Sequence, residues 1–285
     1  MRKILTAAAA SLAATLALTA CGASGTPGTT APSAPETGAS APAGELTTIT
    51  VGASAVPHAQ ILKFVQDNLA KDAGIDIKIQ EFDDYVLPNS ALASKELDAN
   101  YFQHLPYLET EMAEKGYEFA HGEGIHIEPL ALFSNTHTDP SQIPDGGTIA
   151  ITNDPSNQWR GLKLLEKVGL LKDIKDGDSV LTLAAEQNPK GLKLEEANPE
   201  VVVTQLADPK VDAATINGNF ILNAGLKAED AIAVEEVAGN PYANILVWRK
   251  DNTNAAVAKL EELLHSPEVA EFIKTTWPSG DVIPG

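Results

Sequence analysis

Hydrophobic and polar positions repeat with two periods after about residue 45, and each period predicts one type of element. A period of two, as in IDIKIQEF at 75–82, predicts a strand, whereas apolar residues three and four apart, as at Ile61, Phe64 and Val65, predict a helix. The strands predicted in this way are 47–53, 75–82, 99–102, 148–152, 180–184, 192–196, 213–216, 232–237 and 244–249, with a longer extended segment at 122–134. The predicted helices are 57–73, 87–97, 106–115, a helix from the capping segment 153–157 to about 168, 199–207, 220–224, 254–264 and 267–276.

Strands and helices alternate along this region, which predicts an α/β protein with parallel or mixed sheets and helices on both faces. Extended segments near 128–135 and 238–246 divide the pattern into two blocks. We therefore expect two lobes that the chain crosses twice, with residues 45–130 plus 245–285 in lobe 1 and residues 131–244 in lobe 2. Ligands of open α/β sheets bind beyond the carboxyl ends of the strands, so the cleft between the lobes is the expected binding site.

The first 44 residues have a different composition. Arg2 and Lys3 precede an apolar run to residue 20, and the only cysteine of the chain is Cys21, in the stretch LTAC. This pattern indicates a secretory signal peptide at 1–20, and LTAC resembles the lipobox of bacterial lipoproteins, whose cysteine becomes a lipid-bearing N-terminus. Residues 21–44 then form a lipidated cysteine and a flexible Gly, Ser, Thr, Pro and Ala tether. The alternative is an uncleaved anchor helix; either way, the rest of the chain is expected on the extracytoplasmic face of the cell membrane.

Charge and motifs exclude several classes of protein. The formal net charge of −19 argues against a nucleic acid partner, because basic protein surfaces bind nucleic acids. The chain lacks the GxSxG, HExxH, Walker and GxGxxG motifs, so we expect no enzyme activity and no cofactor. His121 and His126 lie near Glu123 and Glu128, but their spacing fits no common metal site. We expect no metal, with His126 and Glu128 pointing outward.

Aromatic and imidazole side chains follow two predicted strands. Phe102 and His104 project to the same side of a strand end, and Pro106 then begins a helix. Tyr85 follows another strand end. Together these side chains predict one wall of a pocket. The alternative places Phe102 in the core and His104 on the surface or in a capping role.

Arg160 lies about one turn inside the helix that begins after 153–157. A helix N-terminus offers free N–H groups and a partial positive charge, and a guanidinium binds a carboxylate through two parallel hydrogen bonds. This corner predicts a carboxylate site. The alternative is a surface arginine paired with Asp154 or Glu166.

Asparagines provide the remaining candidates. Asn217 and Asn244 lie at strand ends or lobe crossings, and each amide offers both a donor and an acceptor without charge. A pair of them can hold the ammonium and the carboxylate of a zwitterion. The alternative for both is a role in turns, since Asn-Gly is a strong turn sequence.

Five segments resemble the methionine-binding lipoproteins of methionine ABC importers, the MetQ/NlpA lipoprotein family. They are DANYFQHLPYL at 98–108, ITNDPSNQWRGLKLLEKVGL at 151–170, QNPKGLKLEEA at 187–197, DAATINGNFILNAGL at 212–226 and NPYANILVWRKDN at 240–252. The resemblance implies a periplasmic-binding-protein-like, type II-like fold, with a mixed sheet flanked by helices in each lobe. It also implies methionine as the ligand, an ABC permease with its ATPase as partner, a lipid anchor at Cys21 and a monomer.

The same resemblance assigns roles by motif. An aromatic and histidine wall holds the thioether, an arginine binds the carboxylate, and asparagines hold the amino and carboxylate ends. The residues matched to these roles are Tyr85, Phe102, His104, Arg160, Asn217 and Asn244.

One position departs from the family pattern. Trp159 stands where the family usually has glycine, and it would shrink the pocket if it faced the cleft but would change little if it faced solvent. The alternatives for function are a binding protein for another small amino acid or a dipeptide, a surface-anchored enzyme, and an adhesin or antigen lipoprotein.

Overall fold

A computed structural model of the chain describes residues 45–285. The predicted signal peptide, the lipidation site Cys21 and the tether at 21–44 lie outside the described residues. Within 45–285, none of the helices combines the length and the apolar character that a membrane span requires.

The described residues form eleven strands. They are β1 (Thr47–Ser54), β2 (Ile75–Phe82), β3 (Ala99–His104), β4 (Phe119–Ile127), β5 (Ala131–Phe133), β6 (Thr148–Thr152), β7 (Lys193–Ala197), β8 (Ala213–Ile216), β9 (Ala233–Val234), β10 (Asn244–Arg249) and β11 (Ile283–Pro284). The strands alternate with helices, as the sequence predicts.

Eight α-helices connect or follow these strands. They are α1 (Gln60–Val65), α2 (Leu87–Ala93), α3 (Leu105–Lys115), α4 (Pro155–Lys167), α5 (Pro199–Gln205), α6 (Gly218–Asn223), α7 (Ala255–Leu264) and α8 (Pro267–Thr276). A single π-helical turn at Gln66–Ala70 extends α1 at its C-terminal end, whereas the segment Ala55–Ala59 before α1 is kinked at Val56, which has an extended backbone (φ −133°, ψ 133°). Short 3₁₀ turns lie at Pro140–Gln142, Ala185–Gln187 and Ala228–Asp230.

Two mixed sheets share one topology. The first has the order β11-β4-β10-β3-β1-β2 and the second the order β7-β6-β8-β5-β9. In each sheet a strand pairs in parallel with two others, β1 with β2 and β3, and β6 with β7 and β8, and an antiparallel strand follows. That antiparallel strand, β10 or β5, directly follows a crossing between the sheets. The predicted α/β fold with two mixed sheets is confirmed.

Two predicted strands differ in the structure. Residues 180–184 form turns, because Ser179 and Thr182 bond to each other's backbone and side chain, an arrangement that competes with strand pairing, and Leu181 is 84% exposed. The predicted strand 232–237 is reduced to β9, Ala233–Val234. The two-residue β11 is too short to leave a periodic signal in the sequence.

An aromatic cluster joins the two sheets near their facing edges. Tyr85, Phe102 and Tyr107, from the first block of the chain, pack in one buried cluster with Ile216 and Phe220, from the second. Two further apolar cores pack against the first sheet and the second sheet separately. This contact between the sheets places the carboxyl ends of β3 and β8 beside one another.

Candidate ligand-binding site

A cavity with a volume of about 20 Å³ lies between the two sheets. Its lining includes all six side chains that the sequence predicts for a binding site, namely Tyr85, Phe102, His104, Arg160, Asn217 and Asn244. Six further residues line it that are not in the predicted set: Gln103, Tyr107, Glu128, Asn157, Gly218 and Asn219. The structure therefore brings residues from both blocks of the chain to one enclosed space.

One wall of the cavity is aromatic. The ring of Tyr85 lies 5.9 Å from that of Phe102, 5.7 Å from that of Tyr107 and 5.2 Å from that of Phe220, measured between centroids. The Tyr85 hydroxyl donates to Oδ1 of Asn219 across the two sheets at 2.5 Å. Burial raises the pKa of Tyr85 well above its usual value, so the hydroxyl stays neutral and acts as a donor.

His104 links the end of β3 to the second sheet. Its Nδ1 accepts a hydrogen bond from the Tyr107 backbone N–H at 3.2 Å, which caps α3, so the ring proton lies on Nε2. Nε2 then donates to Oδ1 of Asn157, at the start of α4, at 3.0 Å. Burial lowers the pKa of His104 to about 3, and the Arg160 charge acts in the same direction. His104 thus has both the capping role of the sequence alternative and a place in the cavity wall.

Asn157 connects the polar groups on the opposite side. Its Nδ2 donates to Oδ1 of Asp154, the N-cap of α4, at 2.9 Å, and its Oδ1 also accepts from Nδ2 of Asn217 at 2.8 Å. Asn217 has an extended backbone before α6, with φ −69° and ψ 145°, and caps that helix, so the turn that was the alternative for this residue does not form. Within residues 45–285, Oδ1 of Asn217 and Nδ2 of Asn244 form no hydrogen bond and remain available to the cavity.

Arg160 is buried and its guanidinium is held from two directions. Nε lies 2.8 Å from both carboxylate oxygens of Glu235, and Nη2 donates to Glu235 Oε2 at 2.6 Å and to the Glu128 carbonyl at 2.7 Å. The Tyr242 ring covers the guanidinium, with its centroid 4.6 Å from Cζ. Among the described residues, Nη1 has no hydrogen-bond partner. Arg160 therefore pairs with neither Asp154 nor Glu166, so the alternative of a surface arginine is wrong.

The two partners of Arg160 lie in the two segments that pass between the sheets. Glu128 follows β4 of the first sheet and precedes β5 of the second, while Glu235 follows β9 of the second sheet and precedes β10 of the first. A single side chain of α4 is thus bonded to both crossings. Any rotation of one sheet against the other would change the surroundings of this guanidinium.

His126 and Glu128 are buried, so the predicted outward orientation is wrong. Alternation does place both on one face of the segment, but that face is covered: the rings of His58 and Tyr101 lie 4.9 Å and 5.4 Å from the ring of His126. Glu128 Oε1 lies 2.7 Å from His126 Nε2 and 3.2 Å from His58 Nε2. His126 Nδ1 also contacts the buried Tyr101 hydroxyl. Glu128 is the one carboxylate among the described residues that line the cavity.

Burial keeps these histidines neutral. It lowers the pKa of His58 to about 4 and that of His126 to about 3, and it raises the pKa of Glu128. An unfolded histidine titrates near pH 6.5, so the folded chain binds fewer protons below that pH. The stability that depends on the neutral rings is fully present above about pH 6.5 and is lost as the pH falls toward the folded values. The raised pKa of Glu128 changes the stability in the opposite direction as the pH falls, but it is one group, whereas His58, His104 and His126 are three.

Comparison with known proteins gives the family. Residues 49–285 match the family model of the NlpA lipoproteins. The chain belongs to the NlpA lipoprotein family. The resemblance inferred from the five sequence segments is thereby confirmed.

Named relatives span most of the chain. The methionine-binding lipoprotein MetQ of Bacillus subtilis is 39% identical over 242 residues, which are 83% of this chain and 87% of that protein. A lipoprotein from Actinomyces odontolyticus is 45% identical with a TM-score of 0.80, over 84% of this chain and 99% of that one. A nutrient-binding protein from Burkholderia cenocepacia, solved with methionine bound, is 39% identical with a TM-score of 0.77, over 83% and 99%. The periplasmic-binding-protein-like fold expected from the sequence is thus confirmed.

Trp159, the position at which a departure from the family pattern is expected, does not line the cavity. Its indole Nε1 donates to the Lys175 carbonyl at 3.2 Å, and its ring packs against the apolar core of the second sheet. It lines a separate outer groove together with Tyr242 and the loop at 176–179. The alternative in which Trp159 shrinks the pocket is therefore excluded.

Two of the lining residues outside the predicted set lie in the same kinds of position as the predicted ones. Glu128 comes directly after strand β4, and Asn157 lies in the first turn of α4. A search that treats every polar residue at a strand end or in a first helical turn as a candidate would have found both. Tyr107 gives no such signal, because its apolar ring in a helix is typical of a core residue.

Proposed function

We propose that this chain captures methionine in the cleft between its two sheets and delivers it to the membrane permease of an ABC importer. The observation that supports this most directly is the charge pattern of the cavity. One guanidinium with an unused N–H pair and one carboxylate line the same enclosed space, opposite an aromatic wall. A zwitterion with an apolar side chain matches that pattern.

The carboxylate of the ligand is proposed to bind at Arg160. Its Nη1 is free, while Glu235 neutralises the charge of the guanidinium and fixes its plane through Nε and Nη2. Nδ2 of Asn244 offers a second donor to the cavity. An anionic group that loses its water on closure needs such donors, because an unpaired buried charge is very costly.

The ammonium group is proposed to bind near Glu128. The two histidine partners of its carboxylate are neutral, and Arg160 donates to its backbone carbonyl and to no oxygen of the carboxylate. Glu128 therefore lacks a cationic partner among the described residues that bond to it. An ammonium group compensates this charge, and Oδ1 of Asn217 supplies a neutral acceptor.

The side chain of the ligand is proposed to lie against Tyr85, Phe102 and Tyr107. A thioether is apolar and polarisable, and sulfur–aromatic contacts contribute about 0.3–1.5 kcal/mol each. The relatives support the same ligand, since one is named as methionine-binding and another was solved with methionine.

Delivery follows from closure of the cleft. A ligand that bonds to both sheets stabilises the closed form over the open one, and the closed form is proposed to dock on the permease and its ATPase. Lipid on Cys21 would hold the chain at the extracytoplasmic membrane surface, in keeping with the lipoprotein names of the relatives. No step in this sequence changes the ligand chemically.

Calorimetry on the untagged full chain in detergent tests the proposal with a ligand series. Methioninamide lacks the carboxylate charge and N-acetylmethionine lacks the ammonium charge, so each should bind at least about 30-fold more weakly than methionine. Norleucine, with a methylene in place of sulfur, should lose about 2-fold to 10-fold.

Three results would contradict the proposal. The first is the absence of any heat with methionine. The second is equal affinity for methionine and methioninamide, which would remove the assignment of the carboxylate end. The third is a different amino acid or a dipeptide retained from cells and identified by native mass spectrometry, which would replace methionine as the ligand.

A further inference from the structure

His58, His126 and Glu128 form a cluster of potential metal ligands behind the cavity wall. One ligand atom from each lies within 4.8 Å of the other two, and all three residues are buried. Nε2 of both rings points at the same carboxylate oxygen, at 3.2 Å for His58 and 2.7 Å for His126. His58 and His126 do not line the cavity, and Glu128 is the one member of the cluster that also belongs to the proposed methionine site.

The chemistry of this cluster is that of a transition-metal site. Two imidazoles and one carboxylate are a ligand set that binds Zn²⁺ at about 2.0–2.2 Å and leaves a fourth position open. Both rings are buried, and each directs Nε2 toward Oε1 of Glu128. We propose that the cluster binds one divalent transition-metal ion of the zinc type through Nε2 of His58, Nε2 of His126 and Oε1 of Glu128.

Two of the three ligand spacings require only a small adjustment. Two ligands of a tetrahedral zinc ion lie about 3.3 Å apart. The His58–Glu128 pair at 3.2 Å already has this spacing, and the His126–Glu128 pair at 2.7 Å must open by about half an ångström. Oδ1 of Asn244 lies 3.1 Å from His58 Nε2 and is placed to complete the coordination or to bond to a water that does so.

The surroundings of His126 support the tautomer that a metal needs. Coordination through Nε2 puts the ring proton of His126 on Nδ1, where the Tyr101 hydroxyl can accept it. Nδ1 of His58 has no hydrogen-bond partner among the described residues, so the ring proton of His58 would lie there without an acceptor, a cost that coordination must exceed.

The test is a zinc titration of the untagged full chain in detergent after removal of metals with a chelator. The wild-type chain is expected to bind one Zn²⁺, and His126→Gln is expected to weaken binding by at least about 100-fold, more than the 10-fold to 100-fold typical of outer-shell changes. Tyr101→Phe, which alters only the partner of a ligand, should fall within that smaller range. His121→Gln is the matched control, because His121 is an exposed histidine on the same strand β4.

Methionine binding by the same variants separates this proposal from the proposed function. Retained methionine binding by His126→Gln shows that the variant is folded, so its loss of zinc is then a loss of the metal site. If His126→Gln does not fold, Tyr101→Phe is compared with His121→Gln instead, and an equal zinc affinity of these two variants overturns the proposal. The proposal is overturned if the wild-type chain binds no zinc, or if its zinc affinity is the same in His126→Gln as in His121→Gln, which would indicate an adventitious ion only.

Discussion

Removal of the Arg160 charge is the perturbation that bears most directly on the proposed site. Arg160→Gln keeps a polar side chain, but its amide is too short to take the position of Nη2 at the Glu128 carbonyl, and it removes the cation that faces the cavity. It also leaves the Glu235 carboxylate without its partner, so two negative groups, Glu235 and the ligand carboxylate, would approach the same corner. Both effects act against ligand binding.

The magnitude follows from these contacts. Loss of one partner from a buried charge-assisted pair costs about 2–5 kcal/mol, which corresponds to a rise in Kd of roughly 30-fold to 4,000-fold. Because the Glu235 carboxylate adds repulsion, we expect the upper part of this range. The cost to folding should be smaller, about 1–3 kcal/mol, since the Glu235 side chain is 15% exposed and water can reach it.

Isothermal titration with methionine measures the change in Kd, and urea unfolding measures the change in stability. Lys163→Gln is the matched control, because it removes a positive charge from the same helix at an exposed position that pairs with Glu166. Arg160→Lys retains the charge without the planar fork and should give an intermediate Kd. A rise in Kd of less than tenfold in Arg160→Gln, in a folded protein, would refute the carboxylate assignment.

Three further predictions concern the surroundings of the site. Gly218→Ala should lower the free energy of unfolding by about 1–3 kcal/mol, and with it the thermal midpoint, and should weaken methionine binding, because its Cβ would lie 2.5 Å from the Glu128 Cβ; unchanged values by scanning calorimetry and titration would contradict this. Trp159→Gly should leave the Kd for methionine within twofold, since the indole lies outside the cavity, and a larger change would place it in the binding path. The free energy of unfolding in urea should fall between pH 7 and pH 5 by up to about 1.4 kcal/mol per pH unit for each of the buried histidines His58, His104 and His126. His126→Gln should make this fall smaller, whereas His121→Gln should not. A free energy of unfolding that does not change over this pH range would contradict the prediction.

Local patterns were sufficient for most elements of the fold. Strands at 75–82, 148–152 and 244–249 have the same bounds in the structure as in the sequence prediction, because each is a pure run of strand periodicity or of buried apolar residues. The predicted strand at 180–184 is also apolar and β-branched in part, yet it forms turns. Nothing in five residues shows whether a neighbouring strand is available to pair with them.

The candidate site was predictable as a set of side chains but not as a set of contacts. Strand ends and a first helical turn identified Phe102, His104 and Arg160 from local rules. The partner of Arg160 is Glu235, which is 75 residues away in sequence, and only the packing of the second crossing against α4 brings them together. Alternation likewise placed His126 and Glu128 on one face, but that face is covered because His58, from a distant part of the sequence, packs against it.

The charges of the cavity explain why closure should depend on a ligand. The chain supplies its own bonds across the cleft, from Tyr85 to Asn219 and from His104 to Asn157, so the closed arrangement is not disfavoured by unpaired neutral groups there. Closure without a ligand would, however, remove water from the Glu128 carboxylate and from Nη1 of Arg160. A zwitterion compensates both at once, whereas an uncharged molecule compensates neither. The difference in free energy between the two closed forms is what shifts the population toward closure, and it depends on the same two groups that are proposed to select the ligand.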